Sequence, residues 1–137
     1  MFLFIPAIFI SLQGTELFIK GLLLLNDLEF SNTHDIQTLL DKLQLKYSKE
    51  TNIYREFKKI YFSEKEILKN FRRENNITDS KALYSALRYP EKSFQEQISY
   101  NALVCNGDNG IKLFQTLLTS INNIKDLVKI EYDAKDV

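Results

Sequence analysis

The stretch AIFISLQGTELFIKGLLLL, residues 7–25, decides the fold class. It shows no alternation of the kind a half-buried strand needs, and Pro6 ahead of it suits a first helical turn. A helix over about 6–28 follows. Because it is apolar on nearly every side, it is expected to be central and covered from several directions. Gln13, Glu16 and Lys20 interrupt it as one polar stripe at i, i+3 and i+7, and Glu16 four residues ahead of Lys20 is the favourable order for a helical ion pair. The stripe reaches either solvent or a cleft. Gly14 and Gly21, seven apart, share a face on which another helix can cross closely.

The same run, from Met1, also has to be weighed as a leader or anchor. No Lys or Arg precedes it and no small-residue cleavage site follows it. Gln13, Glu16 and Lys20 break it before it reaches the roughly 20 apolar residues of a membrane span. The expectation is a core helix and no membrane contact.

Working outward, apolar residues keep recurring at spacings of three and four. In SNTHDIQTLLDKL, Thr33 or Asn32 can cap a second helix, with Asp35 in its electropositive first turn and Ile36, Leu39, Leu40 and Leu43 as its stripe. A third helical region covers about 51–74, with Ile53, Phe57, Ile60, Tyr61, Ile67, Leu68 and Phe71 on one side; Ser63 and Glu66 have capping-box spacing, which permits two shorter helices. A short helix over about 80–88 stops ahead of Pro90, since the residue before proline avoids the helical region. Residues 89–108 are ambiguous, and NGDNG, 106–110, reads as a turn. A last helix over about 110–130 carries Ile111, Phe114, Leu117, Leu118, Ile121, Ile124 and Val128. The fold class is all-α, an up-and-down bundle of four to five helices, as one domain over 1–137.

Composition narrows the function. Lys+Arg and Asp+Glu both total 18, so there is no net positive charge for non-specific nucleic-acid binding, and any RNA contact is local. The single Cys105 excludes an internal disulfide and fits a reducing, cytoplasmic setting. One histidine and one cysteine rule out the usual multi-ligand zinc sites. No phosphate-binding glycine loop, dinucleotide fingerprint or serine elbow is present, so no cofactor is expected. Arg72 and Arg73 read as a solvated helix end with cations at the favourable terminus. Tyr84 and Tyr89 flank Arg88 and can stack on a base or pack on the first helix.

AIFISLQGTELFIKGLLLL with Glu16 and Lys20, then NTHDIQTLLDKL, then LYSALRYP at 83–90, then a long final helix: in this order, over about residues 7–130, the chain resembles the HEPN family, "higher eukaryotes and prokaryotes nucleotide-binding". The resemblance implies a helical bundle that commonly forms homodimers, and bacterial relatives that work beside nucleotidyltransferase domains. It also implies, for many members, a metal-independent ribonuclease built on an arginine followed four to six residues later by a histidine. This sequence departs from that pattern. The positions where Arg88 would find its histidine are Ser93, Phe94 and Gln95, and the only histidine, His34, lies upstream in the capping segment. Cleavage of RNA thereby loses its usual acid–base group.

The expectation is a non-catalytic, dimerising module with possible nucleotide, RNA or partner-protein binding. Its candidate polar cleft comprises Glu16, Lys20, Asp35, Arg88 and Tyr89, with Arg88 as an anion hook or as a partner of Glu16 or Asp35. The alternatives are a ribonuclease in which folding brings His34 to Arg88, and a purely structural helical dimer.

Overall fold

The computed structural model describes residues 4–88, 97–104 and 107–135, and these form six helices: α1 Phe4–Leu25, α2 Ile36–Leu43, α3 Asn52–Glu74, α4 Ser80–Arg88, α5 Asn101–Val104 and α6 Gly107–Lys135. No strand occurs among the described residues. The all-α class expected from the spacing is what the chain adopts.

The helix ends explain most departures from the sequence reading. α1 stops at Leu25 rather than near Leu28, because Asp27 turns left-handed (φ 57°) and the chain closes a reverse cap: Leu28 N donates to Leu23 O at 2.8 Å and Asp27 N to Leu24 O at 3.1 Å. α3 ends the same way, with Asn76 left-handed (φ 52°) and Ile77 N on Arg72 O at 2.9 Å. Asn and Asp tolerate this conformation, so neither stop needs a glycine. Asp35 is not inside the first turn of α2 but is its cap, accepting from Gln37 N and from Thr38 Oγ1. α3 runs unbroken through Ser63, which is buried; its N-cap is Thr51. The expected turn over 106–110 is also corrected, since α6 begins at Gly107. Short polar residues suit the first turn of a helix as well as a turn, because there the N–H groups have no intrahelical partner.

α1 packs against each of the other five helices, which is the central placement its apolar sequence predicts, and the longest pairing is that of α3 with α6. The core is one cluster: Ile8, Leu12, Ile19, Leu22 and Leu23 of α1 meet Leu39, Leu40 and Leu43 of α2, Phe57, Ile60, Ile67 and Phe71 of α3, Leu83 and Leu87 of α4, and Leu117, Ile124 and Val128 of α6. Leu118 departs from its expected place and is 47% exposed. α1 is not covered all round. Ile10, Leu17 and Leu24, each seven residues apart, form an exposed ridge. The stretch Ile8–Leu25 is long and apolar enough to cross a membrane, a property shared by buried helices of soluble proteins.

Polar ties fix the ends of the bundle. Tyr47 Oη donates to Glu131 of α6 at 2.9 Å and accepts from Asn26 at the end of α1 at 3.0 Å. Burial, helped by the Glu131 charge, pushes the Tyr47 hydroxyl up to about 12, so it stays a donor. Asn75 grips Ser99 through both backbone groups at 2.8 Å, and Tyr100 stacks on Phe71.

Candidate functional site

Of the polar stripe of α1, Gln13 is exposed and Lys20 half-buried, while Glu16 turns inward. Glu16, one turn above the buried Leu12, is 3% exposed, so its carboxylate must find donors inside the protein. Three converge on it. Lys20 Nζ reaches it from the next turn of α1. His34 Nδ1, from the α1–α2 connection, lies 2.9 and 3.1 Å from its two oxygens. Tyr84 Oη of α4 donates at 3.0 Å. Burial alone would push the Glu16 carboxyl up, but the hydrogen bonds from Lys20, His34 and Tyr84 outweigh it and hold the group below its usual value. A carboxylate only accepts, so His34 donates from Nδ1, which leaves Nε2 as an acceptor when the ring is neutral.

Aromatic rings frame this charge cluster. The His34 and Tyr84 rings lie 4.8 Å apart, and Phe9 meets Tyr84 edge-on at 5.7 Å. Burial, then the adjacent Glu16 and Glu64 carboxyls, push the Tyr84 hydroxyl far up, so it does not ionise near neutrality. Lys20 Nζ also stands over the Phe30 ring. Outside the cluster opens a cavity of about 320 Å³, bounded by Gln13 and Leu17 of α1, by His34, and by Lys81, Tyr84 and Arg88 along one face of α4.

The cleft residues expected from sequence are thus distributed as follows. Glu16 and Arg88 line one cavity, and Lys20 is bonded to Glu16 behind it. The hydrogen bonds of Glu16 go to Lys20, His34 and Tyr84, rather than to Arg88. Asp35 is spent on capping α2 and lines neighbouring cavities instead. Tyr89 lies outside the described residues. His34, read as a capping-segment residue, stands in the cleft wall. The sequence reading does not single out Lys81 and Phe9; their signal is spacing, since 81, 84, 85 and 88 share one face of α4 and 9, 13, 16 and 20 one face of α1.

A family model of the HEPN domain matches residues 4–106, three quarters of the chain, and so includes every residue of this cleft. The chain belongs to the HEPN family. No curated protein and no solved structure matches it. HEPN membership points to a nucleic-acid-related function, and the α1–α4 cleft is where this HEPN chain gathers its polar groups. Among the described residues no group of three or more His, Cys, Asp or Glu is placed to hold a metal ion.

Proposed function

We propose that this HEPN domain is a non-catalytic, cytoplasmic module that forms a homodimer, acts beside a nucleotidyltransferase-type partner, and binds a nucleotide or RNA phosphate in the α1–α4 cleft. The observation that carries the binding reading is the composition of one cavity. Lys81 and Arg88 line it together with the His34 and Tyr84 rings, while the Glu16 carboxylate behind them is matched by Lys20, His34 and Tyr84. Cations suit a phosphate, and aromatic faces suit a base. A volume of about 320 Å³ falls in the usual range for small-molecule pockets, roughly 300–1,000 Å³.

The test is calorimetric titration with adenosine monophosphate and with a short mixed RNA. Charge-assisted contacts are worth about 1.5–3 kcal/mol, so Arg88→Ala and Lys81→Ala should each weaken binding roughly ten- to a hundredfold. The melting temperature of Lys81→Ala, an exposed residue, should stay within a degree or two of the parent's. Loss of stability with unchanged affinity would favour the purely structural reading instead.

A second reading, ribonuclease action, is favoured by one observation. His34, oriented by Glu16 through Nδ1, lines the same cavity as Arg88. In that reading Nε2 takes the proton of a ribose 2′-hydroxyl while Arg88 neutralises the phosphate. RNA incubated with the purified protein and run on a gel decides between them: intact RNA supports the binding module, and cleavage abolished by His34→Ala supports the enzyme.

A further inference from the structure

One ionisable group lies beneath the cleft and takes no part in it. Glu64, in the middle of α3, is 2% exposed. Its Oε1 lies 3.2 Å from Ser11 Oγ and 3.1 Å from Thr15 Oγ1, both on α1, and the single Thr15 hydroxyl proton is shared with Ser11 O at 2.9 Å. Its Oε2 is buried with no partner among the described residues. Among the described residues no cation is within ion-pairing distance of it; the three ion pairs there belong to Glu16 and Glu56. Two neutral hydroxyls are poor compensation for a buried negative charge, whereas a carboxylic acid suffers little there.

Glu64 also lines a cavity of about 90 Å³, enough for a few waters. The titratable and charged groups on its walls are His34 and Asp35 from the α1–α2 connection, Tyr84 from α4, and Tyr61, Lys65 and Arg72 from α3 itself. From α1, Glu16 does not line this cavity but accepts a hydrogen bond from Tyr84, which does. His34 and Tyr84 line both this cavity and the cleft, so they are the partition between them. Arg72 Nε is buried without a partner, so the cationic side of the cavity is not satisfied by Glu64 either.

We propose that Glu64 is a proton-binding site built into the α1–α3 seam, neutral when the seam is closed, and that losing its proton loosens the seam and displaces His34 and Tyr84 on the wall shared with the cleft. This does not depend on what the cleft binds. Burial pushes the Glu64 carboxyl up to about 8, with the Thr15 and Ser11 hydroxyls opposing only part of the rise. In the unfolded chain the same carboxyl ionises near 4.5. Between these values the folded state holds a proton that the unfolded state has released. The stabilisation is therefore complete below the unfolded value and is lost as pH rises toward and through the folded one, at up to about tenfold in the folding equilibrium constant per pH unit.

The experiment is denaturant unfolding of the full chain across about pH 5 to 9, in parallel with Glu64→Gln, whose carboxamide keeps the neutral shape and an acceptor for both hydroxyls. The wild-type folding constant should fall by as much as about tenfold per unit below pH 8, and the variant should lack that component. Identical slopes would overturn the proposal. Should the variant not fold, infrared spectroscopy of the wild type decides: a protonated-carboxyl band at about pH 6 that disappears by about pH 9 supports the site, and no such band at the lower pH overturns it. The link to the cleft has its own readout, because His34 is the only histidine. Its imidazole resonance should show a step between about pH 7 and 9 in the wild type and none in Glu64→Gln; no step in the wild type overturns the coupling.

Discussion

Replacing Glu16 with glutamine leaves Lys20, His34 and Tyr84 directed at a neutral amide that can satisfy only part of what the carboxylate did. The ammonium of Lys20, whose side chain is 15% exposed, loses its counter-charge in a largely buried place. The expected cost is about 3 kcal/mol, read from urea unfolding at neutral pH. The pH dependence has the opposite sign to that of Glu64. Because the folded protein holds the Glu16 carboxyl below its usual value, its contribution is present above the unfolded value and is lost as pH falls through the folded one. Wild type should therefore lose stability on acidification below about pH 4.5 more steeply than Glu16→Gln. At this scale the sequence announced Glu16, since an acid and a lysine four residues apart stood out on an apolar rod. It did not announce Glu64 as clearly. That residue sits four after Ile60 and three before Ile67, inside an apolar stripe, and only its burial shows that it is not a solvated edge.

Among the elements, α1 carries the two glycines whose shared face invited a close crossing. They prove unequal. A methyl group at Gly14 would meet nothing within 4 Å, whereas one at Gly21 would come 2.7 Å from Tyr132 Oη of α6. Gly14→Ala should therefore raise stability by up to about 1 kcal/mol through helix propensity alone, measured as a higher unfolding midpoint in the monomer. A lower midpoint would show that this face is occupied. Helix existence was legible for the five longer helices, from the three-and-four spacing that each buried stripe imposes, whereas α5 falls in the stretch that the sequence left ambiguous. Helix ends were less so. The stops after Leu25 and Glu74 depend on single Asp and Asn residues turning left-handed, a choice that competes closely with one more helical turn.

For the whole molecule, Ile10, Leu17 and Leu24 form an apolar ridge of α1 that the bundle leaves exposed, and it is the surface we propose for the homodimer. Leu17 belongs both to this ridge and to the cleft wall. Leu17→Glu should halve the mass measured by light scattering while leaving the helical signal of the monomer intact, because an exposed side chain contributes little to the fold. A wild-type protein that is already a monomer would end the dimer reading.

The sequence by itself determined the helical class, the central role of residues 7–25 and the HEPN resemblance, because periodicity and order along the chain are local properties. It placed Glu16 beside Lys20 for the same reason. Only the tertiary structure decided that His34 and Tyr84, eighteen and sixty-eight residues from Glu16, share its carboxylate. It also decided that Asp35 stays on its own helix and that Glu64 is buried with no ion-pair partner among the described residues. Those outcomes depend on how helices cross and what they exclude from water, and spacing within a single helix carries no record of either.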